Sequence, residues 1–87
     1  MVIHDCKQHK FLIEKPEGSP YMEYTLSDST VTVIHTAVPK ALAGQGLAGE
    51  LALALSAWAK KEGLTLLSDC SYMTHWLSRK KLIVKEQ

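Results

Sequence analysis

Residues Val38-Pro39-Lys40-Ala41-Leu42-Ala43-Gly44-Gln45-Gly46-Leu47-Ala48-Gly49 separate a β-branched run, residues 30–38, from an alanine- and leucine-rich run that continues to Ala59. A strand, a glycine turn and a helix in that order constrain the middle of the chain more than any other feature. Glycines at 44, 46 and 49 open the left-handed backbone region and let a main chain approach a ligand closely. The first N–H groups of the following helix have no internal acceptor, so the turn reads as a cradle for an anion such as a phosphate.

The flanking sequence supplies the rest of a fold. Residues 10–14 read as a short apolar strand, residues 16–20 as a turn, residues 21–26 as a second strand, Ser27-Asp28-Ser29 as a tight turn and residues 30–38 as a third strand. Short connections make these an antiparallel meander. The helix starting near Gly44 places Leu47, Leu51, Leu55 and Trp58 at three- or four-residue spacing and ends at Lys60-Lys61-Glu62, with Gly63 as its C-terminal cap. Its far face is alanine-rich and is expected to pack closely on a sheet. Residues 64–68 then read as a buried strand parallel to the third, because the crossover between them is long. Residues 71–81 carry Tyr72, His75, Trp76 and Arg79 at helical spacing. The predicted class is α/β: an antiparallel β-meander leading into a βαβ unit, with a second, C-terminal helix, and one domain over residues 1–87.

Composition removes several classes of function. A net charge of +1, with basic residues scattered and paired only at Lys60-Lys61 and Lys80-Lys81, is not the footprint of a nucleic-acid binder. The start has no basic segment leading into an apolar one, and the apolar run 47–59 is too short to span a bilayer, so no membrane association and a cytoplasmic location are expected. Cys6 and Cys70 are expected to be free thiols. His4-x-Cys6-x-x-His9 offers at most three metal ligands near a terminus expected to fray, and Cys70 with His75 offers two, so no metal site is expected. Glu23 and Asp28 on the meander are expected to be solvated.

Gly44-x-Gly46-x-x-Gly49 satisfies the dinucleotide fingerprint, and Asp69 follows it by about 20 residues, where an acid would meet a ribose. Three features oppose an NAD-binding reading. The strand ends several residues before the first glycine, a meander precedes the unit, and too few residues follow Asp69 for the strands a Rossmann sheet still needs.

The combination His35-Thr36-Ala37-Val38-Pro39-x-x-Leu42-x-Gly44-Gln45-Gly46-Leu47-Ala48, a leucine-rich helix, and a strand ending in Cys70-Ser71-Tyr72 resembles the small, minimal group of the GNAT N-acetyltransferase superfamily over residues 9–80. The resemblance implies that the signature maps onto Ala43, Gly44, Gln45, Gly46, Leu47 and Ala48, whose main-chain amides would bind the pyrophosphate of acetyl-CoA. Ala43 departs from the Gln or Arg usual at its position, which removes one polar contact. Lys40 and Gln45 are the side chains placed to compensate. The resemblance leaves Gly49 as an incidental helix residue.

It also implies roles for residues around the turn. The Val38 N–H is the candidate donor to the thioester carbonyl, since Pro39 has none. His35, three residues earlier on the strand, points to the opposite face and is the candidate general base; its plain alternative is a half-buried strand histidine. Cys70 is the second candidate catalytic residue, where the amides that begin a helix favour a thiolate. It would either accept the acetyl group or protonate departing CoA after direct attack by the amine, the route usual in the superfamily, and its plain alternative is a filler of the strand end. Tyr72, Trp76 and Arg79 are expected to line the CoA groove, with Arg79 near a phosphate.

The expected function is acetyl transfer from acetyl-CoA to an unidentified amine, with an open acceptor site suited to a protein lysine, an N-terminus or another bulky acceptor. A CoA-binding module without turnover is the alternative. The protein is expected to be a monomer or a weak homodimer, with Leu82-Ile83-Val84 either a dimer edge strand or the end of the core.

Overall fold

The computed structural model describes residues 1–79 and 85–86. Its sheet has six strands in sequential order: β1 (Val2–Asp5), β2 (Lys10–Ile13), β3 (Tyr21–Ser27), β4 (Thr30–Ala37), β5 (Thr65–Ser68) and β6 (Lys85–Glu86). The first four pair antiparallel, and β5 lies parallel to β4, as expected from the crossover; β6 adds two residues parallel to β5. The crossover is helix α1 (Leu47–Lys61), and α2 (Ser71–Arg79) follows β5. This is the predicted α/β architecture, with one strand more in the meander. The edge expected at Leu82-Ile83-Val84 lies outside the described residues.

The added strand is β1, where the sequence pointed to a fraying terminus. The turn after it contains neither glycine nor proline. Instead the Asp5 carboxylate accepts the N–H groups of Lys7 and Gln8, each at 3.1 Å, and His9 takes a left-handed φ of 55°. The strand is held from its inner face by His4, whose ring stacks on Phe11 at 4.1 Å, meets Trp58 edge-on at 4.6 Å and is hydrogen-bonded to the Tyr24 hydroxyl at 2.6 Å. Among the described residues no group of three or more His, Cys, Asp or Glu side chains gathers to hold a metal.

Burial pushes the His4 imidazole below its ordinary value of 6.5, aided by His9 and opposed by Asp5. Desolvation, then negative charge at Cys6 and Asp5, raises the Tyr24 phenol above its ordinary 10.0. In acid the unfolded chain takes up the His4 proton first, and in alkali it loses the Tyr24 proton first. The stability contributed here is therefore lost as pH falls below the ordinary histidine value, and again as pH rises past the ordinary tyrosine value. The urea midpoint is expected to drop on both limbs, and His4→Phe is expected to flatten the acid limb only.

Both helices cover one face of the sheet. In the β4–β5 register, Val31 stands beside Leu66 and Val33 beside Ser68. Leu66 shares a groove with α1 and with Leu77 of α2, and Ser68 is hydrogen-bonded to Thr74 of α2. The core on that face includes Met22, Val31, Val33, Leu51, Leu55, Met73 and Leu77, all fully buried. Ala52 and Ala59 are buried beside Leu51 and Leu55, whereas Ala57 is exposed, so α1 packs on the sheet with its leucine face and not with a far, alanine-rich one. The helix ends as expected: the Gly63 N–H bonds Lys60 O, the Leu64 N–H bonds Ala59 O, and Gly63 takes a φ of 69°. No described helix is long and apolar enough to cross a membrane.

Candidate active site

The glycine turn is displayed by what surrounds it. Pro39 is extended, residues Lys40–Leu42 form one 3-10 turn closed by the Ala43 N–H on Lys40 O, and Leu42 is buried as the anchor. Ala43, Gly44, Gln45 and Gly46 are consequently exposed, and both glycines are left-handed, with φ of 82° and 75°. Space beyond both is open among the described residues: a Cβ built at Gly44 or Gly46 meets none of them within 4 Å. The first α-helical bond runs from the Glu50 N–H to Gly46 O and no side chain caps the helix. That leaves the N–H groups of Leu47, Ala48 and Gly49 without a partner inside the helix. The Leu47 side chain is buried, so toward a ligand this residue offers main chain only.

Tyr72, Trp76 and Arg79 share one face of α2, and with Gly46 and Gly49 they line a cleft of about 300 Å³. Sequence reasoning treated Gly49 as incidental, and that is corrected here. A Cβ at Gly49 would stand 3.6 Å from the Tyr72 hydroxyl and 3.9 Å from Trp76 Nε1, so its missing side chain is part of the cleft's width. The signal was available in the third glycine of the motif.

Beside this cleft β4 outruns its neighbour. It pairs with β5 from Thr30 to Val33, where the Asp69 N–H closes on Val33 O at 2.8 Å, and then continues to Ala37 against β3 alone among the described residues. The pairing also steps: Glu23 stands opposite His35 but Tyr24 opposite Val33, which makes Ile34 an extra residue, a β-bulge. The Tyr24 N–H turns away from β4 to His9 O, so strand alternation turns Glu23 and Tyr21, with their partners His35 and Ala37, into the β3–β4 ladder. The main chain of Thr36, and one residue beyond the strand that of Val38, is thereby aimed at the free edge.

The bulge decides which side chains stand on each face. Val31 and Val33 are core residues, and uninterrupted alternation would send His35 in with them. With Ile34 intercalated, His35 emerges on the face away from the helices, exposed, its ring 5.7 Å from that of Tyr21. Thr36 takes the helix side instead, and its Oγ1 lies 3.5 Å from Cys70 Sγ. Cys70 is fixed from behind: the Ser68 hydroxyl donates to Cys70 O at 2.9 Å, the Cys70 N–H donates to Ser68 Oγ at 3.4 Å, Thr74 Oγ1 sits 2.8 Å from Ser68 Oγ, and the Thr74 N–H donates to Cys70 O at 3.0 Å.

The expected site residues thus form two groups around one edge. Gly46, Tyr72, Trp76 and Arg79 come together in the cleft, and Cys70 stands at the start of the same helix. His35 lies across the sheet from Cys70, on the opposite face from Val38 as expected, and the two candidate catalytic residues do not meet. Thr36, Ser68 and Thr74, the polar partners of Cys70, were not singled out from sequence. Serine two residues before the cysteine and threonine four after it were the only local sign.

Residues 10–85 match the family model described as GCN5-related N-acetyl-transferase. The chain belongs to the GCN5-related N-acetyltransferase family. Comparison with curated proteins returned no match. The matched span includes the glycine turn, β4, Cys70 and α2. A dinucleotide-binding reading is left without support, because the four-stranded meander and the nine residues between β4 and α1 are not those of a doubly wound sheet.

Proposed function

We propose that this N-acetyltransferase binds acetyl-CoA at the glycine turn and transfers the acetyl group directly to an amine. The observation that carries the reading is the free edge of β4, which leads through Val38 and Pro39 into the exposed glycine turn and has His35 on one face and Thr36 with Cys70 on the other. The main-chain amides of residues 43–48 would hold the pyrophosphate, with Tyr72 and Arg79 as the cleft wall and Lys40 and Gln45, both exposed, beside Ala43. The open space at Gly44 and Gly46 fits such a ligand. Acetyl-CoA supplies the thioester carbon to which the amine nitrogen bonds as the carbon–sulfur bond breaks. Val38 N–H donates to the carbonyl oxygen. His35 takes the proton the amine gives up. Cys70 returns a proton to the departing sulfur.

Direct transfer is favoured over an acetylated Cys70 because the base is on the wrong face to activate that thiol, whose near partner is the Thr36 hydroxyl. Free thiols at Cys6 and Cys70 also fit a cytoplasmic protein. Ala43 is the one observation favouring a second reading, a CoA-binding module without turnover.

The test is acetyl-CoA-dependent acetylation of lysine peptides, N-terminal peptides and polyamines, with the enzyme's intact mass followed during turnover. Product amide is expected without an acetylated enzyme species. Cys70→Ala is expected to lower kcat about tenfold, a small general-acid effect because a thiolate already leaves readily. Acetyl-Cys70 that accumulates and decays at the turnover rate would overturn direct transfer. Tight CoA binding with no acceptor used would leave the binding module.

A further inference from the structure

The face of the sheet away from both helices carries two cross-strand rows. Asp5, Lys10, Glu23 and His35 form the first, from β1 to β4, and Ile3, Leu12, Tyr21 and Ala37 form the second beside it. Within the first row the charges have different fates. The Asp5 carboxylate is taken up by the turn amides of Lys7 and Gln8, and the Lys10 ammonium lies over the Tyr21 ring, 4.7 Å from its centroid. Glu23 is half-buried, against the expectation that it is solvated, and among the described residues its carboxylate has no ion pair or hydrogen bond. Directly opposed strand residues hold their Cβ atoms about 5 Å apart, so the Glu23 side chain leaves the open face as the neighbour of His35 on one side and of Lys10 on the other. With the Lys10 ammonium drawn over the Tyr21 ring and not ion-paired to Glu23, a half-buried carboxylate beside a base is complementary to an ammonium that must lose a proton.

We infer that Glu23 and His35 form the acceptor subsite, and that the acceptor is a single alkylammonium of the lysine side-chain type. The inference rests on the acetyl-transfer reading above. Glu23 holds the ammonium charge; the exposed His35 takes the ammonium proton and releases it to solvent before attack, and then accepts the second proton, which the amine gives up as the carbon–nitrogen bond forms. The aliphatic stem lies along Leu12, Tyr21 and Ala37 of the apolar row. Lys10, over the Tyr21 ring, disfavours a second cationic group along that row, which selects a lysine side chain over a polyamine.

The test compares the wild type with Glu23→Gln on a lysine peptide, on spermidine and on trifluoroethylamine, an amine uncharged at neutral pH. Glu23→Gln is expected to raise the KM for the lysine peptide about tenfold or more, with kcat and the affinity for acetyl-CoA changed less than about twofold. Its rate on trifluoroethylamine should match that of the wild type, and Glu23→Asp should recover part of the lysine KM. An unchanged lysine KM, or an equal loss on the uncharged amine, would overturn the subsite. Wild-type kcat/KM higher for spermidine than for the lysine peptide would overturn the lysine assignment. If the wild type acetylates no amine, the acetyl-transfer reading fails by itself. The subsite is then decided by NMR titration of the CoA-bound protein with Nα-acetyl-lysine methylamide: shifts on the open face of β2–β4 that vanish in Glu23→Gln support it, and none overturns it.

Discussion

His35→Ala is expected to lower kcat for acetyl transfer about 10²–10⁴-fold, the usual contribution of a positioned general base, while leaving acetyl-CoA affinity within about twofold. The asymmetry follows from position. His35 is on the face opposite the Thr36–Cys70 contact and away from the cleft lined by Gly46, Gly49, Tyr72, Trp76 and Arg79, so its removal leaves the CoA cradle intact. It is also exposed, so its loss opens no cavity in the core. Steady-state kinetics with titration calorimetry on the same preparation separates the two effects. Added imidazole should restore part of the lost rate in the alanine variant. A variant within about threefold of the wild-type kcat would return His35 to the plain role of a strand histidine beside Tyr21.

Gly49→Leu is expected to act in opposite directions on stability and on binding. Gly49 lies inside α1, where leucine is favoured over glycine by roughly 0.8 kcal/mol of helix propensity. Its Cβ would make ordinary contacts, 3.6 Å to the Tyr72 hydroxyl and 3.9 Å to Trp76 Nε1, without displacing backbone. The rest of the side chain must then occupy the cleft of about 300 Å³ that the proposal assigns to CoA. Thermal unfolding should show a Tm equal to or above that of the wild type, whereas acetyl-CoA affinity should fall about 100-fold. Unchanged affinity in a folded Gly49→Leu protein would remove this cleft from the CoA site.

Much of the scaffold was legible because the signals for it are local. The strand runs 10–13, 21–27 and 30–37 carry β-branched and aromatic residues bounded by turn residues, and α1 carries leucines at helical spacing closed by Gly63. The parallel placement of β5 followed from the length of the crossover. Strand β1 was not legible, because its turn is made by a carboxylate accepting main-chain amides rather than by glycine or proline, and because a histidine occupies its inward position. The third glycine of the motif marked position 49, but the width it gives the cleft was not legible, since that depends on where α2 rests against α1.

By itself the sequence determined an α/β chain with a meander, a βαβ unit and a closing helix, with a glycine turn at the start of α1. Propensity, periodicity and the conformational freedom of glycine act between near neighbours along the chain, so they can be read there. Only the tertiary structure decided how the two candidate catalytic residues relate. One extra residue, Ile34, reverses the facing of everything after it on β4, sending His35 to the open face and Thr36 to Cys70, 34 positions away. A bulge is a property of the pairing between β3 and β4, and no pattern within β4 alone specifies it.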